Sequence, residues 1–132
     1  MIVVDASALV AIALKEPEQT TFTAVLRTAD SAWVTPINYV EIGLILRQRK
    51  YIDTRLDLDE WLAGYDVAVD YRSQIAQPAL EAYLTFGKGL HPARLNLGDC
   101  FAYALAKQLD APLLYKGDDF AKTDIRSALQ PT

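Results

Sequence analysis

The chain predicts a three-layer α/β domain with helices flanking a central, mostly parallel sheet of four to five strands. Two observations carry this. Short apolar runs (Ile2-Val3-Val4, Ala32-Trp33-Val34, Val67-Ala68-Val69 and Leu113-Leu114-Tyr115) alternate with longer segments of helical spacing. Such alternation implies parallel strands joined by right-handed crossovers. The second observation is Cys100 to Ala106, uncharged and apolar on every side of a helical wheel, as a buried helix is. With 132 residues the chain makes one domain.

The elements follow in order. A buried strand over residues 2–5 ends at Asp5, and a helix follows from Ser7 to Leu14. Pro17 suits the first turn of a second helix, which repeats Phe22, Val25 and Leu26 until Asp30-Ser31 stop it. After the Trp33 strand, Thr35-Pro36 is a start signal: a capping hydroxyl, then proline at the first helical position. That helix runs to Arg47-Gln48-Arg49-Lys50, cations suited to a helix C-terminus. Thr54 and Asp57 open the next helix, and the Val67 strand follows. A helix from about Ser73 carries Ile75, Leu80 and Leu84. Pro78 inside it implies either a kink or a start near Gln77. Gly87-Lys88-Gly89 ends it. The loop His91 to Asn96 leads to Gly98 and Asp99, the latter placed as a cap or first-turn residue. The fourth strand runs into Lys116-Gly117-Asp118-Asp119-Phe120, and the tail offers a further edge strand.

Ligands in such folds bind outside the carboxyl ends of the strands. Asp5 ends the first strand, Glu41 lies in the helix after the second, Asp99 opens a helix at that edge, and Asp118 and Asp119 follow the fourth strand. Each has an ordinary structural reading. Asp5 and Asp99 can be helix caps, and acids are common in Gly- and Asp-rich turns. Glu41 is the most informative, because its neighbours at ±4 are Ile37 and Ile45 and no Lys or Arg stands at i+3 or i+4. An ionised carboxylate on an apolar face needs a compensating partner.

Composition narrows the chemistry. A formal charge of −4 argues against bulk electrostatic capture of nucleic acid, so a polyanionic substrate requires a local basic rim or a bound cation. One histidine excludes a multi-His zinc site, leaving carboxylates as the plentiful ligands. Gathered carboxylates are relieved by a hard divalent ion, Mg²⁺ or Mn²⁺, which activates water and offsets phosphoryl charge. The reaction this favours is phosphodiester hydrolysis. A single cysteine excludes an intrachain disulfide, no run approaches a membrane span, and no basic leader precedes Ile2. A cytoplasmic location, without a membrane, is the expectation.

The segments Ile2-Val3-Val4-Asp5-Ala6-Ser7, the Glu41 helix, Phe86-Gly87-Lys88-Gly89, Leu97-Gly98-Asp99-Cys100-Phe101-Ala102-Tyr103-Ala104-Leu105-Ala106 and Lys116-Gly117-Asp118-Asp119-Phe120 together resemble the PIN-domain family. The likeness is closest to the VapC-type toxins of toxin–antitoxin pairs. It spans residues 1–132 as a single PIN-like nuclease domain. It implies a Mg²⁺-dependent endoribonuclease that cuts structured RNA, is neutralised by a VapB-type antitoxin and forms a homodimer. Carried over, Asp5, Asp99, Glu41 and Asp118 are the catalytic and metal-binding acids, with Ser7 and Asp119 in support. Lys88, Arg94, Lys116 and the cations from Arg47 to Lys50 are candidates for an RNA rim. The stretches Val40 to Leu46 and Phe22 to Leu26 are candidates for partner contacts. The competing readings are another metal-dependent phosphohydrolase, a DNA nuclease, and a catalytically silent binding module of the same fold. His91, alone before a proline, is open to an acid–base role or to an ordinary surface one, and is not placed among the catalytic residues.

Overall fold

The computed structural model describes residues 1–129. Four strands, β1 (Ile2–Val4), β2 (Ala32–Val34), β3 (Val67–Val69) and β4 (Leu113–Leu114), form an all-parallel sheet in the order β3-β2-β1-β4. Six helices join them: α1 (Ala6–Ala13), α2 (Gln19–Thr28), α3 (Pro36–Gln48), α4 (Arg55–Gly64), α5 (Ala76–Phe86) and α6 (Leu97–Gln108). A 3-10 turn, Phe120–Lys122, follows β4. No described helix is long and apolar enough to cross a membrane.

Alternation along the short strands divides the core into two layers. Ile2 and Val4 of β1, with Ala32, Val34 and Leu114, pack against α1 to α4, where Leu9, Ile12, Phe22, Ile42 and Leu62 are buried. Val3 and Leu113 point to the other face, onto Ala79 and Ala82 of α5 and Cys100, Ala102 and Leu105 of α6. β1 lies inside the sheet with a neighbour on each side, so Asp5 emerges at the middle of the carboxyl edge. The chain after α6 enters β4 at its amino end. The N-terminus of α6 therefore lies at the carboxyl edge, the same side as Asp5.

Several boundaries differ from the sequence reading for local reasons. β1 ends at Val4 because the Asp5 side chain already caps α1, accepting from the Ser7 amide. Pro17 precedes α2, in the turn that Lys15 opens with φ 56°. α5 starts at Ala76, close to the later of the two expected starts. Pro78 is then its third residue, where a missing amide hydrogen breaks no intrahelical bond. The tail joins β4 through one isolated parallel bridge, Leu113 to Ser127, and forms no full fifth strand among the described residues.

Candidate active site

Asp5, Glu41 and Asp99, from three separate segments, line one open cavity of about 500 Å³ with Ser7, Glu16, Asn96, Lys116 and Gly117. Asp5 is buried. One oxygen, Oδ2, accepts from the Ser7 amide at 3.1 Å, and the Ser7 Oγ in turn accepts from the Lys116 amide at 3.0 Å. Ser7 thus ties the end of β1 to the loop after β4. Burial pushes the Asp5 carboxyl up to about 6, against the hydrogen bonds from Ser7 and with the help of the Glu41 charge.

Asp99 is the third residue of α6. Asn96 caps the helix by accepting from the Asp99 amide at 2.9 Å, while Asp99 Oδ2 accepts from the Asn96 amide at 3.0 Å. This reciprocal capping box fixes the carboxylate's direction. Burial raises Asp99 to about 7, and the charges of Asp5, Asp119 and Glu41 add to it despite the Asn96 amide. α4 opens on the same device, with Thr54 as cap and Asp57 third. There the amides of Asp53 and Thr54 hold Asp57 below its ordinary value. The local structure is shared, and only the surroundings differ.

Glu41 sits two turns into α3. The amide Nδ2 of Asn38 donates to Glu41 Oε1 at 2.7 Å and to the Gly98 carbonyl at 3.1 Å. On its other side the Glu41 carboxylate rests against Gly98, where any Cβ would overlap both oxygens. Sequence reasoning placed Thr35 as the cap of this helix but missed Asn38 and the bond Thr35 makes to its side chain, both residues being fully buried. It sought a cation three or four residues after Glu41, whereas the partner is a neutral amide three residues before it.

Asp118 and Asp119 are exposed in the turn that Gly117 opens with φ 99°. Of the two, Asp119 is the one whose charge raises Asp99. Lys116 lines the cavity, but its Nζ is held by Glu16 at 3.1 Å and Glu18 at 3.3 Å, both from the loop between α1 and α2. His91 lies elsewhere. Its Nδ1 accepts from the Ala93 amide at 3.0 Å, its ring meets Phe86 edge-on, and it lines a separate cavity with Lys88 and Arg94.

The acids face one another across a cleft without forming a closed cage. Among the described residues no three His, Cys, Asp or Glu side chains stand close enough to enclose an ion. The donor set nevertheless fits a hard divalent cation. Every candidate ligand is a carboxylate oxygen, neighbouring acid charge helps to raise both Asp5 and Asp99, and Oδ1 of Asp99 and Oε2 of Glu41 accept no described hydrogen bond. Mg²⁺ ordinarily keeps several waters and takes few protein ligands, so an open arrangement suits it better than it would suit Ca²⁺.

The PIN domain family matches residues 2–126. Ribonuclease VapC30 of Mycobacterium tuberculosis is 40% identical over 131 residues, covering 98% of this chain and 99% of its own. Ribonuclease VapC42 of the same organism is 39% identical over 128 residues, with 96% and 98% covered. Ribonuclease VapC of Mycolicibacterium smegmatis is 39% identical over 124 residues, with 93% and 96% covered. The crystal structure of Mycobacterium tuberculosis VapC20, a sarcin–ricin loop cleaving toxin, superposes with a TM-score of 0.72 over 95% of this chain and 96% of that one. At 15% identity that likeness is one of fold. The chain belongs to the PIN-domain family. Within it, the relatives that match from end to end are VapC-type ribonucleases.

Proposed function

We propose that this chain is a Mg²⁺-dependent endoribonuclease toxin that hydrolyses phosphodiester bonds in structured RNA, with Mn²⁺ able to substitute. The observation that carries the reading is the convergence of Asp5, Glu41 and Asp99 on one cavity, where burial and the Glu41 charge raise Asp5, and burial and the charges of Asp5, Asp119 and Glu41 raise Asp99. The ribonuclease names of relatives near 40% identity support it. When bound, a hard divalent ion supplies Lewis acidity, activating water and offsetting charge on the phosphoryl oxygens.

The chain's own residues do the rest. Asp5 and Asp99 hold the ion, Glu41 completes the set, and Asp119 takes the place of fourth acid ahead of Asp118. Ser7 fixes Asp5. Lys88, Arg94 and His91, which share a cavity, contact the RNA backbone. A VapB-type antitoxin neutralises the toxin, the working unit is a homodimer in the cytoplasm, and partners meet apolar surface near the site. Val40 and Leu44 of α3 and Leu80 and Leu84 of α5 are exposed, whereas Phe22 and Leu26 of the other expected stretch are buried in the core.

Cleavage of purified tRNA and rRNA with Mg²⁺, Mn²⁺ or EDTA tests the reading against Asp99→Asn. Discrete products that require the metal and vanish in the variant are expected. Cleavage indifferent to EDTA and to Asp99 would overturn it, and cleavage of DNA alone would reassign the substrate.

A further inference from the structure

Asn38 is a buried polar side chain whose hydrogen bonds are all accounted for. The Thr35 Oγ1 accepts from the Asn38 backbone amide at 3.0 Å and donates its own proton to Asn38 Oδ1 at 2.7 Å. That fixes the amide's direction: with Oδ1 taken by Thr35, the two Nδ2 protons go to Glu41 Oε1 and the Gly98 carbonyl. A flipped amide would set its oxygen against two acceptors. The donor is fixed from behind by the residue that caps α3, and it reaches across to α6.

We propose that Asn38 is the positioning residue for Glu41, holding Oε1 so that Oε2 is presented to a divalent cation shared with Asp5 and Asp99. The inference rests on the metal-dependent reading above. A carboxylate three residues away on the same helix has several rotamers open to it, and Asn38 selects one. Gly98 closes the other side, so the carboxylate is held between an amide and a bare Cα. The chemistry of the holder matters. A Lys or Arg there would neutralise Glu41 and compete with the ion, whereas a neutral amide orients the carboxylate and leaves its charge intact. The amide also ties α3 to α6, so the spacing between Glu41 and Asp99 is set by the same side chain.

A structural staple between two helices would show many of the same contacts, and the test separates the two roles. Mn²⁺ affinity is measured by calorimetry on the full chain in five proteins: wild type, Asn38→Ala, Glu41→Gln, the Asn38→Ala/Glu41→Gln double variant and Asp99→Asn, each verified as folded by circular dichroism. Asn38→Ala is expected to weaken Mn²⁺ binding roughly tenfold, the usual scale for losing a group that orients a metal ligand. In the Glu41→Gln background the same change is expected to do nothing further. Equal loss in both backgrounds, or no loss in either, overturns the positioning role. If Glu41→Gln and Asp99→Asn both bind Mn²⁺ as wild type does, the metal reading itself fails, and the inference with it. Should Asn38→Ala not fold, Thr35→Val removes the hydroxyl that both caps α3 and orients the amide, and leaves the Asn38 side chain in place. The same cycle then decides, with the same two outcomes.

Discussion

The Glu41 carboxylate occupies the space a side chain on Gly98 would need, so a residue of α3 is seated directly on the first turn of α6. Gly98 is buried and has ordinary helical backbone, so it is required for room and not for an unusual φ. Gly98→Ala sets two effects against each other. Alanine favours a helix by about 1 kcal/mol, and overpacking costs about 1–3 kcal/mol. The overlap is with a charged group pinned by Asn38, so the loss is expected to win. Urea denaturation should show a lower midpoint, and metal-dependent cleavage should fall with it. A variant as stable and active as wild type would mean that Glu41 swings aside freely.

The stability of the metal-free protein should fall as pH rises from about 4 to about 7. Asp5 and Asp99 have folded-state values of about 6 and 7, above the unfolded value near 4. Between those values the native state binds more protons than the unfolded chain, so stability is fully present at low pH and lost as pH rises through 6 and 7. Thermal melts in EDTA across this window read the slope directly. Asp99→Asn should flatten it, and Mn²⁺ should reverse it, because the ion competes with protons for the same oxygens. Stability that rises over the same range would contradict the repulsion described here.

The two turn acids should separate cleanly. Asp119 is the turn acid among the charges that raise Asp99. Asp119→Asn should weaken Mn²⁺ binding and slow cleavage, while Asp118→Asn should leave both near wild type. Calorimetry on the pair is sufficient, and the reverse order would restore Asp118 as the fourth acid.

Lys116 offsets acid charge at the cavity through Glu16 and Glu18. Lys116→Met leaves Glu16 unneutralised among the cavity residues. Mn²⁺ should then bind more tightly by roughly two- to fivefold, the scale of a half-exposed ion pair, while RNA binds less tightly. Both effects should shrink in high salt. Weaker Mn²⁺ binding would instead indicate that the tether holds the turn in place more than it sets the field.

Much of this arrangement was legible in the sequence because its determinants are local. The β-branched run ending at Asp5, the Thr35-Pro36 start and the apolar helix after Asp99 each announce an element and its orientation. A parallel sheet then brings the acids to one edge. What could not be read depends on contacts between distant segments. Nothing local indicates that Asn38 crosses to the Gly98 carbonyl, sixty residues on, or that Gly98 must lack a side chain for the sake of Glu41. Nor does the turn after β4 declare which of two adjacent acids acts on Asp99, since that depends on how the chain turns at Gly117.

The matched starts of α4 and α6 bear on how such a centre can arise. Thr54 with Asp57 and Asn96 with Asp99 are the same piece of backbone engineering, an acid aimed by the helix it helps to begin. One of them is merely part of a fold, while the other sits where burial and three further acids make its charge costly to keep. A capping acid can therefore become a candidate ligand with no change in its local geometry. The same cap, set among other acids and buried, becomes a group whose charge a cation would relieve.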